Sequence, residues 1–225
     1  QKNFPNTIQL GDVRDVSSAN LPQIDLLVGG SPCQGFSFAS KDRLNFDVPQ
    51  SALFFEYVRL LKELKPKWFL LENVKMKKES EAAITNLLGV EPIEINSSLM
   101  SAQSRQRLYW TNIPVTKPAD KGIMLKDIIE CGFVDRDKSY CIDANYFRGG
   151  NLKRYFARSS RQLVFSTPTD FQFRKLTVKE CERLQTVPEG YTEGVSNTQR
   201  YKMLGNGFTV DVVAHILKGI TDAKV

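Results

Sequence analysis

Histidine is almost absent from this sequence, and clustered cysteine is missing altogether. His215 is the one histidine in 225 residues, and Cys33, Cys131, Cys141 and Cys181 are scattered without a CxxC pair. A zinc site needs three or four His and Cys ligands at short spacings, and a disulfide framework needs a denser set. Neither is supported: each cysteine is expected as a thiol, and no residue as a metal ligand. Long apolar runs are missing too. No window approaches the roughly eighteen consecutive apolar residues of a membrane span, and residues 1–30 lack the basic-then-apolar layout of a secretory signal. An intracellular protein with no membrane partner is the expectation. Internal repeats and low-complexity segments are also lacking.

What is present is a globular composition, 41% hydrophobic and 25% charged, long enough for one sizeable core and a small lobe. The net charge of +6 is compatible with a polyanionic partner without requiring one. Residues 25–30 and 67–72 are short apolar runs that read as strands buried on both faces. Between them Leu53, Phe54, Tyr57, Leu60, Leu61 and Leu64 recur at helical steps, which predicts a helix from about Ser51 that Pro66 stops. A second helix is expected with Ser80 as its cap and Gly89 beyond its end, followed by strands over 92–95 and 108–113. Strands alternating with helices point to an open, doubly wound, mostly parallel α/β sheet, whose functional groups gather at the carboxyl ends of strands.

From about Thr116 to Gln172 the hydrophobic periodicity fades. Between Arg148 and Lys175 the chain carries Arg148, Lys153, Arg154, Arg158, Arg161, Arg174 and Lys175 against Asp170 alone, which reads as an inserted basic lobe. Helical signals resume at Thr177, whose TVKE run is a capping box, and a last helix is expected from Phe208 to about Lys218, with Gly219 beyond it.

Both early strands end in residues an apolar strand does not need. The first runs into Gly-Gly-Ser-Pro-Cys-Gln and the second is followed directly by Glu-Asn-Val, so Cys33 and Glu72 are expected to face one crevice. An isolated cysteine is more often buried and inert, and a terminal glutamate is often merely solvated; the glycine-flanked Pro-Cys-Gln context favours a reactive thiol. Gln103-Ser-Arg105-Gln-Arg107 offers two guanidinium forks before a strand, and taken alone is also what a surface ion-pairing patch looks like. Gly205-Asn206-Gly207, taken alone, reads as a helix-entry turn.

In this order and spacing, PCQ, ENV, QxRxR and GNG resemble the motifs of the cytosine-5 DNA methyltransferase family over nearly the whole chain. GDVRDV, PCQGFSFAS and CERLQTVPEGYT look most like the phage and bacterial relatives of the vertebrate de novo enzymes. The resemblance implies a Rossmann-like methyltransferase core over 1–115, a target-recognition lobe over 116–173, and a return to the core over 174–225 that closes the cofactor pocket. It implies methyl transfer from S-adenosylmethionine to carbon 5 of a cytosine flipped out of double-stranded DNA. Cys33 is the implied nucleophile on carbon 6, Glu72 the acid at ring nitrogen 3, and Arg105 and Arg107 the cations beside the base and the cysteine. Asp12, Gly30, Pro32, Leu53, Asn206 and Gly207 match donor-pocket positions. Gln34, Ser37, Lys41 and Arg43, in and beside the loop from Gly35 to Gln50, are implied DNA contacts, as are Arg148, Lys153, Arg154, Arg158 and Arg161 in the basic lobe. A cytoplasmic location is implied for a bacterial or phage protein and a nuclear one for a eukaryotic protein; restriction protection and prophage self-protection both use this chemistry.

One part of the pattern is not found. The family opens with an aromatic, glycine-rich loop and an acidic residue that holds the donor's ribose, whereas residues 1–10 supply Phe4 and no glycine. An amino-terminal segment or a second chain is expected to complete the pocket, and this polypeptide alone is expected to bind donor weakly. Two other readings stay open. A regulatory paralogue, inactive or split, would be expected to lose PCQ or ENV, and both stand. A transfer-RNA cytosine-5 methyltransferase would carry a Cys-Phe-Thr signature, which is not found.

Overall fold

The apolar run Leu26–Gly30 forms strand β1, and in the computed structural model, which describes residues 2–31, 49–170 and 172–222, it pairs in parallel with β2 (Trp68–Val74). Helix α1 (Pro49–Leu64) makes the crossover between them. It ends where expected: Lys65 turns left-handed at φ 45°, its N–H reaching the carbonyl of Leu61 at 3.1 Å, and Pro66 follows.

Helix α2 (Lys78–Leu88) begins earlier than its sequence suggests. Ser80 is not its cap but a buried residue of the first turn; the N-cap position is Lys77, whose side chain makes no capping bond. Glu79 and Glu81 in that turn complement the exposed N–H groups instead. The far end is as predicted, with Gly89 left-handed at φ 71° and its N–H on Thr85 O at 2.8 Å.

Strands β3 (Ile93–Asn96) and β4 (Gln106–Thr111) complete a four-stranded sheet of order β1-β2-β4-β3. The α/β layering is the predicted one, and the sheet is mixed, because β4 runs antiparallel to β2. One face carries Phe69, Leu71, Leu108 and Trp110, against which Phe54, Tyr57 and Val58 of α1 and Ile84 and Leu88 of α2 pack. Alternate residues of central strands are therefore fixed by burial, which also fixes the register of the residues beside them.

The chain divides into two compact units: residues 1–95, 106–114 and 219–225 make the first, and residues 96–105 and 115–218 the second. This division differs from the sequence-based one. Residues 174–218 fall with the basic stretch, as does the short segment 96–105. The second unit contains α3 (Leu152–Arg158), the two-stranded β5 (Leu163–Phe165) and β6 (Phe173–Lys175), α4 (Val178–Leu184), α5 (Asn197–Asn206) and most of α6 (Val210–Asp222). Its core is drawn from irregular segments as much as from helices: Ala102, Leu125, Val134, Ile142, Tyr146, Val164, Leu176, Leu184 and Leu204 form one buried cluster. The TVKE capping box is formed, with Thr177 Oγ1 accepting from Glu180 N at 3.1 Å and Glu180 Oε2 accepting from Thr177 N at 2.7 Å.

Two glycines correct the sequence reading of the last helices. Gly205-Asn206-Gly207 is not a helix entry but the carboxyl end of α5. A side chain at Gly205 would run into the backbone of Asp143 and Ala144, so the residue is a close-approach glycine. Gly219 lies inside α6 rather than beyond it, and it is glycine there for packing: a Cβ would meet the carbonyl of Pro114. No described helix is long and apolar enough to cross a membrane.

Candidate active site

The register of the first sheet places Gly30 opposite Glu72, and Glu72 in turn opposite Tyr109. Glu72 and Asn73 thus lie on β2 itself, not after it as the sequence suggested: β2 continues to Val74 because Leu108 and Arg107 of β4 pair with Asn73 and Val74. Glu72 and Arg107 are diagonal neighbours on one face, the spacing at which long side chains meet across an antiparallel pair. They form an ion pair, Arg107 Nε to Glu72 Oε1 at 2.8 Å, with both side chains 13% exposed. Arg107 also donates to the carbonyl of Gln106 at 2.8 Å.

Asn73 points to the opposite face and is 2% exposed. Its Nδ2 donates to Ser31 Oγ at 3.1 Å while its Oδ1 accepts from Val74 N at 2.8 Å. This bond ties the end of β2 to the residue that follows β1, two positions before Cys33. Cys33 itself, with Pro32, Gln34, Ser37, Lys41 and Arg43, lies outside the described residues.

On the same unit, Gly30 is exposed at the end of β1 and Leu53 is half-buried on α1. Asp12 caps a 3-10 turn over Val13–Asp15. Its Oδ1 accepts from Arg14 N at 3.0 Å and Arg14 Nε at 2.9 Å, and its Oδ2 from the same guanidinium. The hydrogen bonds from Arg14 lower the Asp12 pKa to about 2. Arg59 of α1 holds this turn through the carbonyls of Val13, at 3.2 Å, and Val16, at 2.9 Å.

Arg105 belongs to the second unit and is 4% exposed. One terminal nitrogen donates to Ile142 O at 3.0 Å and Cys141 Sγ at 3.2 Å. The other donates to Gly205 O at 3.2 Å and Gly207 O at 3.0 Å. The guanidinium fork is therefore committed to backbone on both sides, including the turn that holds Asn206. Around it sits a buried polar network that the sequence did not announce. Gln185 donates to Gly207 O at 3.1 Å, accepts from Thr209 Oγ1 at 3.0 Å and accepts from Gln103 Nε2 at 3.1 Å. Gln103 accepts from Ile142 N at 2.8 Å. Nothing in a sequence separates such glutamines from surface ones, although both stand in the QSRQR and CERLQ motifs.

The candidate DNA contacts of the basic stretch sort into two groups. Arg161 is drawn in, 3.5 Å from Asp143 Oδ2, and Arg148 lies over the ring of Phe147 at 5.2 Å; Arg174 and Lys175 are likewise engaged, with Glu180 at 2.7 Å and Phe147 O at 2.8 Å. Lys153, Arg154 and Arg158 stand exposed on α3. Cys181 is buried, its thiol pKa pushed up by burial, which marks it as inert packing.

Comparison with known proteins gives a consistent result. A family model described as C-5 cytosine-specific DNA methylase matches residues 1–111 and 79–222. The type II methyltransferase M1.ScrFI of Lactococcus lactis subsp. cremoris is 30% identical over 90% of this chain and 64% of its own length. The type II methyltransferase M.NgoBV of Neisseria gonorrhoeae is 34% identical over 59% of this chain and 36% of its own length. The chain thus spans less than two thirds of the length of these relatives. Among solved structures, the Entamoeba histolytica methyltransferase EhMeth superposes with a TM-score of 0.73 at 16% identity, covering 100% of this chain and 86% of that one, a likeness of fold.

Proposed function

This chain belongs to the C-5 cytosine-specific DNA methylase family, and on that premise we propose that it methylates carbon 5 of cytosine in double-stranded DNA, with Cys33 as nucleophile and S-adenosylmethionine as donor. The observation that carries the reading is the Glu72–Arg107 pair on adjacent strands, next to an asparagine that ties β2 to Ser31 just before Cys33.

The chain's own groups supply the following chemistry. The Cys33 thiolate adds to carbon 6 of the base, forming a C–S bond and pushing the ring electrons toward carbon 5 and nitrogen 3. Glu72 takes up a proton from solvent as the base is bound and passes it to nitrogen 3, which relieves the negative charge that addition creates. Arg107 holds the Glu72 carboxyl in position and brings a positive charge toward the carbonyl oxygen of the base. When bound, S-adenosylmethionine supplies an electrophilic methyl group to carbon 5. Solvent then takes the carbon 5 proton, the C–S bond breaks to release the thiolate, and the nitrogen 3 proton returns to Glu72, which restores the ring. Arg105 is better read as a positioning residue than as a contact of the base, since its terminal nitrogens are spent on four acceptors.

The residues of the first unit fit the donor in part. Gly30 leaves the end of β1 open to close approach, and Leu53 offers an apolar edge. Asp12 carries three hydrogen bonds from Arg14, and a carboxylate has about four acceptor sites, so one remains for an adenine amino group.

The test is mechanism-based trapping. A polypeptide carrying these 225 residues is incubated with donor and duplex DNA containing 5-fluorocytosine, and the adduct is mapped by mass spectrometry; a transfer-RNA transcript runs in parallel. An adduct on Cys33 with DNA is expected, and Glu72→Gln is expected to lower turnover by about 10²–10⁴. Trapping on the transcript alone, or an adduct that survives Cys33→Ala, overturns the proposal.

A further inference from the structure

Three cations of the second unit that have no carboxylate partner among the described residues stand together on one short helix. Arg136, Arg161, Arg174, Lys179, Arg183 and Arg200 each have a carboxylate within 4.0 Å. Lys153, Arg154 and Arg158 of α3 have none among the described residues, and no acidic residue occurs in the sequence from Ala144 to Thr169. Three exposed cations within two turns, with no acidic residue near them in sequence, favour an external anion.

Helix α3 also carries the most exposed large apolar side chain among the described helices. It buries Tyr155 and half-buries Leu152, yet Phe156 is 59% exposed. A lone exposed phenylalanine is ordinary on a protein surface; this one has Lys153 and Arg154 before it and Arg158 after it on the same helix. Its ring is braced rather than free, packing edge-on to Tyr155 at 5.3 Å and 73°. Tyr155 is in turn fixed by Gln162 Nε2 at 2.9 Å and by the rings of Tyr140 and Phe165 at 5.7 and 6.0 Å. The helix ends in two left-handed residues that are not glycine, Ser159 at φ 46° and Arg161 at φ 62°, a strained exit that the Arg161–Asp143 contact holds.

Resting on the reading of DNA as substrate, we propose that α3 is the element of this chain that meets the duplex, with Lys153, Arg154 and Arg158 on phosphates and Phe156 stacked against a base step. A phosphate-only surface has no use for an exposed, braced ring, whereas a ring set among cations can lie on an unstacked base while the cations hold the backbone. The two contributions differ in kind. Phosphate contacts release counterions and set the salt dependence of binding; a stacking contact adds affinity that salt does not screen.

The experiment uses that difference. Anisotropy titrations of the 225-residue chain with a labelled duplex, at four salt concentrations, give both affinity and slope. Phe156→Ala is expected to weaken binding about five- to a hundredfold with an unchanged slope, and Phe156→Trp to retain affinity. The Lys153→Gln, Arg154→Gln, Arg158→Gln triple variant is expected to flatten the slope by up to about one unit per cation. Circular dichroism checks that each variant keeps its fold. Wild-type affinity in Phe156→Ala, beside a flattened slope in the triple variant, overturns the stacking role and leaves DNA as substrate intact. An unchanged slope in the triple variant overturns α3 as the contact, again without touching the trapping result. No duplex binding at low salt, joined to trapping on the transfer-RNA transcript, overturns this proposal and the reading beneath it together.

Discussion

The two compact units solve burial by opposite means. In the first, the buried set is apolar, with Phe54, Leu70, Leu71, Ile84 and Trp110 essentially inaccessible, and the buried polar residues among those described are Asn73, Ser80 and Thr111. In the second, Gln103, Arg105, Gln162, Glu180, Glu182, Gln185, Thr192 and Thr209 are buried alongside the hydrophobic cluster. A regular sheet and its helices satisfy their own backbone groups and can be covered with hydrocarbon. Irregular segments cannot, and their buried N–H and C=O groups must be met by side chains. Arg105 on three carbonyls, Gln185 on the end of α5 and Lys138 on the carbonyls of Ser98, Ser101 and Ile123 are the result. Low regularity in the second unit and its buried charge are thus one fact seen twice.

Removing a buried polar partner in the second unit is expected to have the largest effect. Glu182 has a fully buried side chain that accepts from Thr192 N at 2.9 Å, Gly190 N at 2.8 Å and Arg200 at 3.2 Å. Glu182→Ala strands those donors and the Arg200 guanidinium, and is expected to cost about 3–5 kcal/mol in urea unfolding. Glu182→Gln keeps the volume but loses the charge, and is expected to lie between that variant and wild type. If Glu182→Ala costs no more than a surface substitution, the polar frame is not what holds this unit. The first unit predicts the contrary rule, in which cost follows volume. Ile84→Val removes one methylene from a fully buried site and is expected to cost about 0.5–1.5 kcal/mol in the same measurement. A larger loss there would mean that shape, not area, dominates.

The same contrast explains what the sequence disclosed. Helix α1, the strands around residues 26–30 and 68–74, the Gly89 cap and the TVKE box all rest on periodicity or on local chemistry, and these are visible in a string of letters. The pairing of Glu72 with Arg107 was not, because it depends on β4 running antiparallel to β2, and register is a property of two strands together. Arg105 and Arg107 look equivalent in QSRQR, yet one clamps backbone and the other pairs with a carboxylate. Gly205 reads as a turn former until the backbone of Asp143 is seen against it. The residues that periodicity could not place are those whose partners lie far along the chain.

The smallest effect expected is one of pH, and it separates the units without altering a residue. Burial alone raises the pKa of Glu182, but hydrogen bonds from Thr192, Gly190 and Arg200 outweigh it and hold the carboxyl below its ordinary 4.5. Glu180 behaves alike: burial pushes its carboxyl up, while Arg174, Glu130 N and Thr177 N pull it down further than burial lifts it. A carboxyl whose folded pKa is depressed contributes stability that is complete above its unfolded value and is lost as pH falls through the folded one. Amide exchange, corrected for intrinsic rates, should therefore show Gly190 and Thr192 losing protection below about pH 4.5. Amides of Leu71 on β2 and Trp110 on β4, which pair with each other inside the apolar cluster, should keep theirs over the same range. Protonation leaves the shape of the carboxyl intact, so the loss should be a fraction of that caused by Glu182→Ala; equal loss of protection in both units would show that they open as one and erase the contrast.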